Sequence, residues 1–64
     1  MASGTVVVEV VIDEEGRVIS AVAVKGPSAL TDVSVKAALR SKFKPTLVEG
    51  KAIKVSGVIV YTFS

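Results

Sequence analysis

The chain has 64 residues, eight basic and six acidic, for a net charge of +2; half are hydrophobic, and mean hydropathy is +0.62. One small domain is the most such a length supports, and so apolar a composition excludes a disordered chain. Cysteine and histidine are both absent, which removes disulfides, thiolate chemistry, the usual zinc, copper and haem ligands, and histidine-based catalysis.

The acidic cluster Asp13, Glu14 and Glu15 lacks the spaced oxygen ligands of a calcium loop and reads as a solvated turn, so no metal, no cofactor and no enzymatic activity are expected. Glu9 and Asp13 interrupt the valine-rich start, and no apolar run reaches membrane-spanning length. Met1–Ser3 has neither the basic nor the apolar region of a signal peptide and is expected to be a disordered or cloning-derived start to a single domain spanning 1–64. Charge is uneven: residues 1–32 hold five acids and two bases, residues 33–64 one acid and six bases. Fourteen valines, four isoleucines and four threonines make over a third of the chain β-branched, which favours strands.

Thr5 to Asp13 alternates as a first strand, with Val6, Val8, Val10 and Ile12 on one face and Val7, Glu9 and Val11 on the other. Asp13-Glu14-Glu15-Gly16 supplies a turn, and Arg17 to Lys25 is a second strand hairpinned to the first. Strict alternation places Val18, Val22 and Val24 inward and Ile19, Ala21 and Ala23 outward. Gly26-Pro27 ends that strand. Residues 28–43 read as the one helix, with Thr31 as N-cap, Asp32 at its positive end and Arg40, Lys42 and Lys44 at its negative end. Ser34, Ala37, Ala38 and Ser41 form a small-residue stripe suited to close packing on a sheet, flanked by Val35 and Leu39.

Residues 47–51 read as a loop around Gly50. Ala52 to Phe63 then reads as a single long strand in which Gly57 marks a bend, a bulge or a close backbone approach. The helix returns the chain across the sheet, so the last strand lies beside the first and every pairing is antiparallel. The expected fold is α+β: a three-stranded antiparallel sheet of order 2-1-3, one helix on one face, ββαβ.

Two surfaces follow. The last strand is an open edge, a template for another strand, obviously blunted only at Lys54. The sheet face away from the helix gathers Val7, Val11, Ile19, Ala21, Ala23, Val58 and Val60, more than scattered surface hydrophobes. That face is expected to be covered by a second copy or by a different protein.

The arrangement resembles the C-terminal domain of the TonB family, the periplasmic energy transducers of Gram-negative bacteria. The resemblance runs from Gly4 to Phe63 and is carried by the valine-rich hairpin, a Gly-Pro…Leu segment at 26–30, and Phe43-Lys44-Pro45 after the helix. Gly50-Lys51 and the alternating strand ending in Phe63 complete it. It departs where many members have Trp, at Ser41, and Pro, at Ala52; Ser41 makes for a lighter helix–sheet contact. An acidic residue common in the family is Thr31 here.

The resemblance implies a periplasmic location and capture of the Ton box, a short segment of an outer-membrane TonB-dependent transporter, as a strand added to the last strand. The implied contacts are the backbone of Lys54, Val55, Ser56, Val58, Ile59, Val60, Tyr61 and Thr62, with Tyr61 as the leading side chain, although its commoner role is an ordinary sheet-face aromatic. An ExbB/ExbD-type complex would be reached only through an N-terminal inner-membrane anchor, which this sequence lacks, as it lacks a Pro-rich spacer; an excised domain or a lone copy of the module is expected. A homodimer is the alternative, with strand exchange about Gly26-Pro27 and Gly50 as one form; exchange would hide the peptide site. Lys36, Arg40, Lys42, Lys44, Lys51 and Lys54 offer a basic patch, but three aromatics and no GXXG clamp argue against nucleic acid.

Overall fold

A computed structural model describes residues 3–64; the expected irregular start falls partly at residues 1–2, outside the described residues. Strands β1 (Gly4–Ile12) and β2 (Val18–Lys25) form a hairpin, followed by helix α1 (Ser28–Arg40). Two short strands, β3 (Thr46–Val48) and β4 (Lys51–Ile53), precede the long β5 (Val55–Phe63). The main sheet has the order β2-β1-β5 with both pairings antiparallel, and β3 and β4 pair separately. The fold is therefore α+β with the expected three-stranded sheet, plus a small second sheet that alternation alone did not separate from the last strand.

The core is small. Val6, Val8 and Val10 of β1 are buried with Val18, Leu30 and Ala38, because β1 is central and turns its even-numbered residues toward the helix. Helix α1 presents Leu30, Ser34 and Ala38, four residues apart, and the small Ser34 and Ala38 bring it close to the strands. The buried Ser34 hydroxyl donates to the Leu30 carbonyl at 2.8 Å, so its polarity is satisfied within the helix.

The helix begins earlier than capping chemistry predicts. Thr31 lies inside it, its hydroxyl donating to the Ser28 carbonyl at 3.0 Å, while Pro27 occupies the N-cap position without a side-chain cap. Burying Leu30 requires that first turn, and Pro27 has the extended backbone from which a helix can start. The helix stops at Arg40, with Lys42 and Lys44 beyond its end, because the following residues are drawn to the first hairpin. Lys42 bridges Arg17, and the Phe43 amide donates to the Gly16 carbonyl at 2.8 Å.

The largest correction concerns the faces of β2. Its register against β1 slips twice: Val11 faces Ser20 while Ile12 faces Val18, and Val7 faces Lys25 while Val8 faces Ala23. Ile19 and Val24 are the extra residues. The slip at Ile19 inverts the alternation, as a bulge must. Ala21 and Ala23, expected outside, pack against the core, and Val22 and Val24, expected inside, are exposed.

The last strand is also revised. Glu49 and Gly50 both have positive φ, 52° and 82°, and close a two-residue hairpin between β3 and β4. Lys54 breaks the strand, leaving it outside both β4 and β5. Gly57, read as a bend or bulge, pairs with Val10 inside an unbroken ladder. The chain measures 45 × 16 × 15 Å, elongated for its size.

Two glycines should respond oppositely to alanine. A Cβ at Gly16, where φ is +87°, would overlap the Phe43 carbonyl oxygen, so Gly16→Ala should lose about 2 kcal/mol or more in chemical denaturation. A Cβ at Gly57 meets nothing, and Gly57→Ala should gain roughly 0.5–1 kcal/mol.

Candidate functional site

The sheet has two edges, and they are built differently. On β2 the two bulges twist the outer backbone and break its regular spacing. On the other side, β5 pairs with β1 through nine consecutive positions, from Gly4 opposite Phe63 to Ile12 opposite Val55, without one register slip. No strand lies on its far side among the described residues. From Val55 to Phe63 there is no charge, no proline and no bulge, so none of the usual devices for blunting an edge is present. The regularity follows from sequence: β-branched and aromatic residues dominate, and Gly57 is accommodated in extended form.

The two faces beside this edge differ as well. Toward the helix side, Ile59, Tyr61 and Phe63 are half-buried and pack at the margin of the core. Helix α1 lies over β2 and β1, so these three side chains form a shelf rather than a covered layer. Toward the other side Ser56, Val58, Val60 and Thr62 are exposed. An extended segment laid along β5 would find hydrogen-bonding groups on its edge. Its alternate side chains would extend the shelf of Ile59, Tyr61 and Phe63.

Of the expected edge residues, Val55, Ser56, Val58, Ile59, Val60, Tyr61 and Thr62 lie in β5, and Lys54 stands at its entrance. Of the outer-face residues, Val7, Val11, Val58 and Val60 lie on that side, Ile19 is an exposed bulge residue outside the ladder, and Ala21 and Ala23 turn to the core. Val22 takes their place opposite Glu9. Strict alternation missed Val22 because it cannot register a bulge. The six basic residues Lys36, Arg40, Lys42, Lys44, Lys51 and Lys54 are all exposed, spread from the helix through the β3–β4 hairpin.

At the far end of β1 the turn is organised by one carboxylate. Asp13 Oδ1 accepts the amides of Arg17 and Glu15, each at 2.9 Å, and Oδ2 accepts Arg17 Nε at 3.3 Å. Arg17 also pairs with Glu15. The Arg17 amide, the Glu15 amide and the Arg17 charge hold the Asp13 carboxyl below its ordinary value, with desolvation opposing them. Its carbonyl receives the Gly16 amide at 3.0 Å, and Gly16 in turn receives Phe43. Asp13 thus orders the turn onto which the chain after the helix docks.

The architecture is an α+β domain with one regular, open sheet edge, and comparison with known families gives it a place. The family model for the Gram-negative bacterial TonB protein C-terminal domain matches residues 2–64, and the chain belongs to that family. The family is a non-catalytic, transport-associated one that interacts with outer-membrane transporters and points to the periplasm. No curated protein and no solved structure matches the chain.

Because the Asp13 carboxyl is held low in the folded state, its stabilisation is complete above the unfolded value and disappears as pH falls through the folded one. Asp13→Asn should therefore lower the melting temperature at neutral pH and flatten its fall in acid below about pH 4. Thermal unfolding between pH 2 and 7 measures both.

Proposed function

We propose that this domain captures an extended peptide, the Ton box of an outer-membrane TonB-dependent transporter, by strand addition to β5. The observation that carries the reading is the contrast between edges: β2 is bulged and β5 is a straight, uncharged, nine-residue template. Backbone hydrogen bonds supply affinity in this mode, and alternate side chains supply selectivity. Ile59, Tyr61 and Phe63 are the side chains positioned to select, with Tyr61 able to offer both an apolar ring and a hydroxyl.

The mechanical consequence follows from geometry. A strand bonded along its length and pulled along its axis loads several hydrogen bonds together, so a weak complex can still transmit force. The domain would do this in the periplasm, as part of a parent protein anchored in the inner membrane and coupled there to an ExbB/ExbD-type complex. A homodimer is the companion reading, favoured by the exposed valines on the outer face. Strand exchange through β5 would compete with capture, whereas a dimer formed elsewhere would not.

Strand addition has a signature that ordinary groove binding lacks. An added strand uses every second peptide amide. In an amide-resolved NMR titration, a Ton-box-like peptide should shift signals concentrated on Val55–Phe63. N-methylation of alternate peptide residues should abolish the shifts in one phase and spare them in the other. Loss with both phases, or shifts away from β5, would contradict capture at this edge.

A further inference from the structure

Gly57 stands inside β5, and nothing within the described chain explains a glycine there. Three causes commonly put glycine in a strand: a left-handed backbone, a bulge, or the close approach of another segment. The first is absent, because Gly57 is extended and takes no positive φ. The second is absent, because Gly57 faces Val10 within the unbroken ladder. The third is absent too. A Cβ placed on Gly57 meets no atom within 4 Å among the described residues, and helix α1 packs on β1 and β2 rather than on β5. By register Gly57 belongs to the helix side of the sheet, between Val55 and Ile59, both half-buried. These two stand about 13 Å apart along the strand, with bare backbone between them. The shelf beside the open edge therefore has a slot in it.

We infer that this slot receives one large apolar side chain, an aromatic ring best of all, from the strand captured on β5, and so fixes that strand's register. The inference rests on the reading of β5 as the capturing edge and adds to it the kind of peptide taken. A strand added there puts the side chain opposite Gly57 on the helix side, ~5 Å across from the glycine. A small side chain at that position leaves the slot empty and forfeits its contacts. A ring lies over the bare Gly57 backbone between Val55 and Ile59, the cross-strand arrangement by which an aromatic residue covers a strand glycine. The lining selects apolar chemistry: Val55–Phe63 carries no charge, so a charged side chain seated there would give up water without gaining a partner.

Register is what the slot controls. Along an edge of uniform alternation, a captured strand can slip by two residues and keep the same side chains on the same face. Only one register seats the large side chain over Gly57. Slip under tension then has to drag that side chain out past Val55 or Ile59. Ile59, Tyr61 and Phe63 fill the rest of the shelf, so no second slot competes along β5.

The probe is threonine-valine-threonine-X-threonine-valine-threonine with a lysine at each end, where X is phenylalanine or alanine. It reads alike in both directions, so strand direction does not enter. In NMR titrations of the full chain, the phenylalanine peptide should bind roughly fivefold tighter than the alanine peptide. Its ring-current shifts should be largest at the Gly57 α-protons and the methyl groups of Val55 and Ile59. Gly57→Val fills the slot with a strand-forming residue and should bring the affinity ratio of the two peptides to about one. Gly57→Ala should lower the ratio in part, and keeps the test decisive if Gly57→Val does not fold. Equal affinities in the parent chain, a ratio that survives both substitutions, or ring-current shifts centred away from Gly57 would overturn the slot while leaving capture at β5 standing. Shifts from neither peptide on Val55–Phe63 would overturn capture itself, and the slot with it.

Discussion

The unbroken ladder between β1 and β5 is the interaction on which the rest of this structure depends. It fixes nine residues of β5 against the central strand without a slip, and so holds the far edge of β5 straight. A straight edge exposes a regular row of donors and acceptors, a template for another strand. The opposite edge had the same opportunity and lost it to two extra residues, Ile19 and Val24. Directionality in this small sheet therefore comes from where the bulges are, not from any catalytic or charged group.

The same economy shapes the core. One thirteen-residue helix, about 20 Å long, reaches across β2 and β1 and leaves the helix side of β5 as a shelf. Its contact stripe of Leu30, Ser34 and Ala38 is slender, and it meets Ala21 and Ala23, turned inward by the bulge at Ile19. Small faces small, so helix and sheet approach closely but bury little apolar surface. The valines displaced outward by that bulge enlarge the opposite face. This member of the TonB C-terminal family thus combines a thin interior with a largely apolar outer sheet face.

Much of this was legible in the residues. Alternation along Thr5–Asp13, the Asp-Glu-Glu-Gly turn and Pro45 sufficed for the hairpin, the helix and the order of the main sheet. The edge position of the last strand followed from connection length. The faces of β2 were not legible, because a bulge adds a residue without a compositional mark, and RVISAVAVK alternates plausibly in either phase. The β3–β4 hairpin was masked for a related reason. Residues 52–63 alternate almost continuously, and the break at Lys54 arises where the chain leaves the support of β1 at Ile12. Glu49-Gly50 was the available signal, a dipeptide with two positive φ values closing a tight turn. The start of the helix at residue 28 was legible, but its N-cap was not: Pro27 holds that position in place of Thr31 because the core draws Leu30 into the first turn.

The openness of the β5 edge is the central claim, and amide hydrogen exchange along Val55–Phe63 of the free chain tests it most directly. The account predicts alternation: amides bonded to β1 exchange slowly, and the intervening ones, facing outward, exchange fast. Uniform protection along the strand would show that the edge is already paired, and would contradict it.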